Sequence, residues 1–265
     1  MKPAPFEYAA PSTLEEALGL LGEEARPLAG GQSLVPLLNF RLARPELVVD
    51  INGVSELDFL HADDGVLRIG ALTRQGTLER SELVADRWSL LTQAVRMAGH
   101  PQIRSRGTVG GSVAHADPAA ELPVALTALD ARFHARSPRG SRTLGADELF
   151  LGPLTTALEP DELLVEIEVA VPPEGTRATF VEHARTHGDF AICGAAVALV
   201  PRDHAAIALL GAGPTPVRAA GAEHAFVDGA DAREVASMAA SGIEDDYRRA
   251  LTSELVRQAL EEVAA

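Results

Sequence analysis

Two pairs of adjacent glycines are the segments of this 265-residue chain best suited to bind a ligand. Gly30-Gly31 is followed by Gln32-Ser33, and Gly110-Gly111 is followed by Ser112. Glycine readily adopts positive φ and lets a ligand approach the backbone closely, and consecutive free N–H groups bind anions. One such pair alone is most simply a tight turn. Two pairs, both predicted to be loops and both followed by a hydroxyl residue, indicate one long ligand with two phosphates.

Three polar residues follow the second pair, at His115, Asp117 and Glu121. Asp117-Pro118 predicts the start of a helix, with Asp117 as the N-cap and Pro118 in the first position. A helix N-terminus attracts anions, and the Glu121 carboxylate could bind a ribose or ribityl hydroxyl. The spacing of the three residues is also compatible with a metal ion. The capping role of Asp117 and the lack of a second histidine nearby favour the interpretation without a metal.

Lysine and cysteine occur once each, at Lys2 and Cys193, and this excludes several kinds of site. A P-loop and an internal Schiff-base lysine are both excluded. One cysteine forms no internal disulfide, thiolate zinc site or iron–sulfur cluster, and the apolar run around Cys193 predicts a buried side chain. Neither glycine pair has the G-x-G-x-x-G spacing of a Rossmann site, and Ser33 lacks the G-x-S-x-G setting of a hydrolase nucleophile.

The negative net charge of the chain argues against a nucleic acid as its binding partner. The formal net charge is −15, whereas a protein that binds phosphate backbones needs a basic face. The hydrophobic content of 46% is typical of a globular protein. No apolar run reaches membrane-spanning length and no apolar leader follows Met1, so we expect a cytoplasmic protein that is not an integral membrane protein.

Hydrophobic periodicity predicts helices and strands without regular alternation, which indicates an α+β fold. Ser12 and Glu15 predict a capping box at the start of the first helix. Pro172 to Gly175 is the clearest linker and divides the chain into domains 1–173 and 176–265. Strands are predicted at 47–51, 66–70, 131–135, 163–169, 178–184, 191–200 and 205–211, and helices at 73–80, 87–99, 119–127, 231–240 and 244–263.

Seven longer sequence motifs are distributed along the chain. They are Pro11 to Ala17, Ala29 to Pro36, Leu67 to Thr73, Ile103 to Pro118, Arg185 to Phe190, Pro216 to Ala219 and Asp246 to Arg249. Together they resemble the FAD-binding medium subunit of the molybdenum hydroxylases. That family includes the medium subunit of aerobic carbon monoxide dehydrogenase and the flavin domain of xanthine dehydrogenase. The resemblance extends over nearly the whole chain, and Ile103 to Pro118 is its most specific part.

The resemblance implies a PCMH-type FAD-binding domain over 1–173. A smaller domain over 176–265, similar to the C-terminal domain of the carbon monoxide dehydrogenase flavoprotein, would contain a short antiparallel sheet and C-terminal helices. In such proteins both glycine segments hold the FAD diphosphate, an acidic residue at the position of Glu121 lies near the FAD hydroxyls, and residues at the positions of Leu164 and Asp189 lie near the flavin and adenine. The implied FAD-binding residues are Ala29, Gly30, Gly31, Gln32, Ser33, Leu34, Thr108, Val109, Gly110, Gly111, Ser112, His115, Asp117, Glu121, Leu164 and Asp189.

The resemblance also implies partners. FAD would lie on this chain, [2Fe–2S] clusters on a small subunit and the molybdopterin cofactor on a large subunit, with two heterotrimers forming a dimer. Electrons would leave to a quinone, NAD or oxygen, and neither a catalytic side chain nor a metal ligand is implied here. Many relatives carry a basic residue just before the R-x-x-G-D turn, where this chain has Val181-Glu182-His183. Two alternatives stay open, a stand-alone flavin oxidoreductase and a non-catalytic nucleotide-binding scaffold.

Overall fold

The computed structural model describes residues 1–186, 188–200 and 203–264. The strands are β1 (Glu7–Ala9), β2 (Ala25–Leu28), β3 (Leu47–Asp50), β4 (Leu60–Asp63), β5 (Val66–Gly70), β6 (Arg132–Ser137), β7 (Gly140–Leu144), β8 (Phe150–Gly152), β9 (Thr155–Thr156), β10 (Leu163–Ala170), β11 (Arg177–His183), β12 (Cys193–Val200), β13 (His204–Leu210) and β14 (Val217–Arg218). The helices are α1 (Leu14–Leu20), α2 (Leu34–Asn39), α3 (Gln75–Arg80), α4 (Glu82–Arg87), α5 (Ser89–Met97), α6 (Pro101–Arg106), α7 (Val109–His115), α8 (Glu121–Ala128), α9 (Ala146–Leu149), α10 (Ala220–Val227), α11 (Ala232–Ala240) and α12 (Asp246–Ala264).

A small parallel sheet at the N-terminus has the strand order β1-β3-β2. Val49 is fully buried in its central strand and packs in one hydrophobic cluster with Leu14 of α1. The predicted capping box lies one residue later than expected, because Thr13 is the N-cap and its partner is Glu16. Glu15 instead pairs with Arg136. This sheet places the end of β2, and therefore the first glycine pair, beside the end of β3.

A five-stranded antiparallel sheet follows, with the order β4-β5-β10-β6-β7. Its apolar face carries fully buried residues such as Ile69, Phe133 and Ile167, which belong to the main hydrophobic cluster. Because side chains alternate across a strand, Glu166 and Glu168 lie together on the opposite face. This sheet supports α7, and hence the second glycine pair, whereas α8 with Glu121 packs on strands β12, β13 and β14.

The third sheet is antiparallel, with the order β11-β12-β13-β14. One face, with Val197 and Ile207, packs with residues of α11 and α12 in a separate cluster, and the other face joins the main cluster. Cys193 in β12 is a free, buried cysteine, as predicted, and burial raises the pKa of its thiol. The three sheets and the surrounding helices confirm the α+β fold.

Pro172 to Gly175 forms an irregular connection between β10 and β11. The main hydrophobic cluster includes residues from both sides of it, such as Leu126 before the connection and Ala208 after it. The division into 1–173 and 176–265 therefore stays a prediction, since one core joins the two parts. Among the residues described, no helix has both the length and the apolar character needed to cross a lipid bilayer.

Candidate functional site

The first glycine pair lies in the loop that joins β2 to α2, and Gly31 has a φ of 73°. Protein donors occupy the carbonyl oxygens of this loop. Asn52 Nδ2 donates to the Ala29 oxygen (2.8 Å), Gln32 Nε2 to the Gly30 oxygen (2.9 Å) and the Val35 N–H to the Gly31 oxygen (3.1 Å). The acceptors of the loop are thus satisfied within the protein.

The N–H groups of the same loop are free. Within the described part of the chain, the amides of Gly30, Gly31, Gln32 and Ser33 donate to no protein acceptor. The C=O and N–H of one trans peptide point in opposite directions. Binding the carbonyls of Ala29, Gly30 and Gly31 therefore directs the next three N–H groups away from those partners. The loop presents an uninterrupted set of neutral donors, which is the arrangement that binds a phosphate group.

The second glycine pair is not a loop, and this corrects the prediction made for it. Gly110-Gly111 lies in the first turn of α7, whose N-cap is Thr108. The first four N–H groups of α7 all have protein acceptors, which are the oxygens of Thr73 (2.9 Å, from Val109), Ala71 (3.0 Å, from Gly110), Thr108 Oγ1 (3.0 Å, from Gly111) and Thr108 O (3.1 Å, from Ser112). The tertiary packing of α7 on the residues after β5 removes the donors that the pattern indicated.

The structure brings the two glycine segments together. A Cβ atom on Gly30 would lie 2.4 Å from the Arg106 carbonyl oxygen, so the first loop packs directly on the backbone that precedes α7. A Cβ atom on Gly111 would lie 3.8 Å from the Cβ of Ala29. The side-chain hydroxyls of Ser33 and Ser112 have no hydrogen-bond partner among the described residues. The second segment therefore offers a ligand the Ser112 hydroxyl, the Thr108 N–H, which donates to no acceptor within the described residues, and a close approach to the backbone.

The prediction that Asp117 caps a helix is wrong. Helix α8 begins at Glu121 with Ala120 as its N-cap. The left-handed Ala116 (φ 52°) turns the chain, and the Asp117 carboxylate accepts the Ala119 N–H (2.9 Å) in a turn that precedes the helix. His115 is half-buried in the last turn of α7.

Glu121 is buried at the start of α8, with 8% of its surface exposed. The pKa of its carboxyl is raised to about 8, mainly by burial and to a lesser degree by the charges of Glu182 and Asp117. A hydrogen bond from its own backbone N–H and the charge of Arg104 oppose this increase. Burial also raises the pKa of Glu182, in β11, to about 7, and its Oε2 atom has no partner within the described residues. The charge of Glu182 acts on Glu121, so these two carboxyls, one in α8 and one in β11, interact electrostatically and both have raised pKa values.

Leu164 and Asp189 lie in different surroundings. Leu164 is buried in the main hydrophobic cluster. Asp189 is exposed in the turn between β11 and β12, where its Oδ1 accepts the Phe190 N–H (2.9 Å). Gly188 in that turn has a φ of 82° and lies against the ring of His100. His187, which belongs to the predicted R-x-x-G-D turn, lies outside the described residues.

Two polar groupings were missed by the sequence analysis. The first is a chain of hydrogen bonds around Asn52 and Arg74, beside the first glycine loop. The second is the set His134, Glu166 and Glu168 on the polar face of the five-stranded sheet, the one group of metal-ligating geometry within the described residues. Arg68 hydrogen-bonds to both glutamates, so this set forms an ion-pair network. Acidic residues at alternate positions of β10 were the signal that could have indicated it.

Comparison with known proteins places this geometry in a family. Residues 4–172 match the family model described as the FAD binding domain in molybdopterin dehydrogenase. The chain belongs to this family. It is thus an FAD-binding oxidoreductase subunit of the molybdenum hydroxylase type, and the resemblance stated from its motifs is confirmed.

Members of this family with known activities are similar over most of their length. The chain is 46% identical over 237 residues to the 6-hydroxypseudooxynicotine dehydrogenase complex subunit alpha of Paenarthrobacter nicotinovorans, covering 86% of this chain and 80% of the relative. It is 37% identical to the carbon monoxide dehydrogenase medium chain of Hydrogenophaga pseudoflava, covering 98% and 97%. The structure of quinoline 2-oxidoreductase from Pseudomonas putida 86 superimposes with a TM-score of 0.95 at 34% identity, covering 100% of this chain and 98% of that one.

Proposed function

We propose that this chain is the FAD-carrying electron-transfer subunit of a molybdenum hydroxylase complex. Bound FAD would supply redox chemistry that exchanges electrons between an iron–sulfur donor and an external acceptor. Electrons would come from [2Fe–2S] clusters on a small subunit and leave to a quinone, NAD or oxygen. A large subunit would carry the molybdopterin cofactor and hydroxylate the substrate, and two heterotrimers would form a dimer.

The observation that supports this proposal is the free donor set of the first glycine loop. The residues fit a dinucleotide diphosphate because three carbonyls of the loop are bound internally while the N–H groups of Gly30 to Ser33 have no protein acceptor. The backbone of Gly30 also lies so close to Arg106 that no side chain could replace the glycine without displacing the loop. The loop would bind the diphosphate with backbone amides, assisted by the hydroxyls of Ser33 and Ser112.

The other proposed FAD contacts have distinct roles. Val109, Gly110 and Gly111 would position Ser112, since their own N–H groups have protein acceptors. Thr108 would cap the helix with its side chain, and its N–H, which donates to no acceptor within the described residues, would contact the diphosphate. Glu121 would bind a hydroxyl of the ribose or the ribityl chain. Leu164 would contribute apolar surface, and Asp189 would lie beside the adenine or flavin. Leu34, His115 and Asp117 complete the set.

The composition supports separate subunits for the other cofactors. One cysteine does not build an iron–sulfur cluster, so the clusters of the complex would have to lie on another chain. Its relatives are named as subunits of 6-hydroxypseudooxynicotine, caffeine and carbon monoxide dehydrogenases, so these enzymes differ in substrate while this subunit stays similar. The large subunit would therefore select the substrate.

The test is reconstitution of the full chain. FAD is added to the purified chain, the excess is removed by gel filtration, and the visible spectrum is recorded before and after dithionite. Retained flavin bands that bleach on reduction are the expected result. Absence of flavin, even when the small and large subunits are co-expressed, would overturn the proposal in favour of a scaffold. Steady-state turnover by the chain alone would instead support a stand-alone flavin oxidoreductase.

A further inference from the structure

A continuous chain of hydrogen bonds joins the end of β3 to the first glycine loop. The Tyr8 hydroxyl donates to Asp50 Oδ2 (2.6 Å), and Asp50 Oδ1 accepts the Asn52 backbone N–H (3.0 Å) and Asn52 Nδ2 (2.6 Å). Asn52 Nδ2 also donates to the Ala29 carbonyl oxygen (2.8 Å). The Asn52 amide is therefore held from one side by Asp50 and binds the loop with the other.

Arg74 extends this series of hydrogen bonds to the second glycine segment. Its Nη2 donates to Asn52 Oδ1 (2.7 Å) and its Nη1 donates to the carbonyl oxygen of Arg106 (2.5 Å). Arg106 is also the residue whose backbone Gly30 packs against. One guanidinium thus joins the residue that orients the first loop to the backbone on which that loop rests.

The consequence for the loop follows from peptide geometry. Because the Ala29 oxygen points toward Asn52, the N–H of Gly30 in the same peptide plane points away from it. An amide side chain is required at position 52, since its nitrogen must donate to Ala29 and Asp50 while its oxygen accepts from Arg74. A carboxylate there would present acceptors to two other acceptors.

We propose that Asn52 and Arg74 are positioning residues for the diphosphate of FAD, which they orient through the Ala29 and Arg106 carbonyl groups. This inference rests on the proposed function, because it assumes that the first glycine loop binds that diphosphate. Asn52 directs the Gly30 N–H toward the ligand, and Arg74 fixes the position of Asn52 relative to the α6–α7 connection. Arg74 also places a positive charge beside the loop in a chain whose net charge is −15.

The experiment measures FAD binding to the full-length chain by titration of flavin fluorescence, for the wild type and for Asn52→Asp, Asn52→Leu, Arg74→Gln and Arg74→Lys. Arg139→Gln is the matched control, because Arg139 lies at the turn of the β6–β7 hairpin and makes an exposed ion pair with Asp161. We expect Asn52→Asp to weaken FAD binding by more than about tenfold and Arg74→Gln by about fivefold, as lost hydrogen bonds of this kind do. Arg139→Gln should bind as the wild type does.

Two further readouts separate positioning from general destabilisation. The ³¹P resonances of the bound diphosphate should shift in Asn52→Leu and Arg74→Gln, and the thermal midpoint of the FAD-free chain should stay near that of Arg139→Gln. Arg74 contacts its two acceptors through two separate nitrogens, whereas lysine has a single side-chain nitrogen without the planar fork of arginine, so Arg74→Lys should restore little of the affinity. If Asn52→Asp fails to fold, Arg74→Gln and Arg74→Lys still decide the outcome.

Wild-type affinity and unchanged ³¹P resonances in these variants would overturn the inference while leaving the proposed function intact. Full restoration by Arg74→Lys would overturn the bridging role of the guanidinium, because charge alone would then suffice. Loss of affinity that follows the thermal midpoint, with an unchanged ³¹P spectrum, would show that the residues only stabilise the fold. A wild-type chain that binds no FAD would instead contradict the proposed function itself.

Discussion

Gly30-Gly31 and Gly110-Gly111 have nearly the same local sequence, a glycine pair followed by a serine within two residues, but opposite hydrogen-bonding states. In the first segment the carbonyl groups have partners and the N–H groups are free. In the second the N–H groups of the first helical turn all have partners. The first segment is therefore equipped to bind an anion through its backbone, whereas the second is equipped to pack.

The difference shows that a glycine pair has two separate uses. At Gly31 the φ of 73° is the requirement, because the loop must turn so that its donors converge. At Gly110 the requirement is space, because a Cβ atom would lie 2.6 Å from the Cα of Ala71. Substitutions at Gly110, Gly31 and Ser112 test this distinction, and Glu121→Gln tests the buried carboxyl beside the second segment.

Gly110→Ala should give the largest loss of stability. The added Cβ would overlap the backbone of Ala71, and such overpacking costs about 3 kcal/mol. The measurement is urea unfolding of the FAD-free chain. Gly19→Ala is the matched control, because Gly19 is also helical but has no atom within 4 Å of its Cβ position. That substitution should raise stability by about 0.5–1 kcal/mol. Equal effects at the two positions would contradict a packing role for Gly110.

Glu121→Gln should change the pH dependence of stability. The folded chain holds a proton on Glu121 up to about pH 8, whereas the unfolded chain releases it near the ordinary value of 4.5. Between these values the folded state binds more protons, so stability falls as pH rises, by at most about 1.4 kcal/mol per pH unit. Glutamine should remove this slope and stabilise the chain at pH 8 relative to the wild type.

The check for Glu121 is urea unfolding from pH 5 to pH 8. Glu162→Gln is the control, because the pKa of its carboxyl is lowered: its burial is outweighed by the hydrogen bonds from Arg142 and from the Glu159 N–H, together with the charges of Arg142 and Arg139. A carboxyl with a lowered pKa contributes stability above its unfolded value, so this control should destabilise the chain at pH 8. An unchanged slope in Glu121→Gln would show that Glu121 titrates normally in the folded chain.

Gly31→Ala should weaken FAD binding with a smaller effect on stability. An L-residue at positive φ costs about 1 kcal/mol, and relief of that strain would turn the loop amides away from the ligand. We expect about fivefold weaker FAD binding. Gly65→Ala is the matched control, because Gly65 has a φ of 77° in the β4–β5 hairpin. Both variants should lose similar stability, and only Gly31→Ala should lose affinity for FAD.

Ser112→Ala should have the smallest effect. The N–H of Ser112 already has a protein acceptor, so the variant removes only a side-chain hydroxyl. We expect FAD affinity to fall by less than about fivefold with no change in the urea midpoint, as for a single neutral hydrogen bond. Ser33→Ala, measured beside it, compares the hydroxyls of the two segments. A loss at Ser112 larger than that of Gly31→Ala would reverse the ranking of the two glycine segments.

Much of the fold was predictable from local patterns. The strands Val66–Gly70 and Leu163–Ala170 were predicted as 66–70 and 163–169, because their apolar residues alternate or run continuously, and Cys193 was expected to be buried because its neighbours are apolar. The first residues of the helices were predicted less accurately. The capping box shifted from Ser12 to Thr13 because both residues have a hydroxyl and two adjacent glutamates follow. Asp117 has the sequence signature of a cap, but the left-handed Ala116 assigns it to a turn.

The sequence by itself determined the components of the site. It contains two glycine pairs with hydroxyl residues beside them, the acidic residue Glu121 and a single cysteine. Its longer motifs identify the family. These depend on residue type and short spacing, which are fixed along the chain.

Only the tertiary structure decided which donors are free. The carbonyl groups of Ala71 and Thr73 lie more than thirty positions before α7 in the sequence and still accept its first N–H groups. Asn52 likewise reaches back to Ala29, and Arg74 forward to Arg106. A backbone amide is available to a ligand only when no other part of the chain accepts its hydrogen bond. That condition is set by long-range packing, so identical glycine pairs acquire different functions.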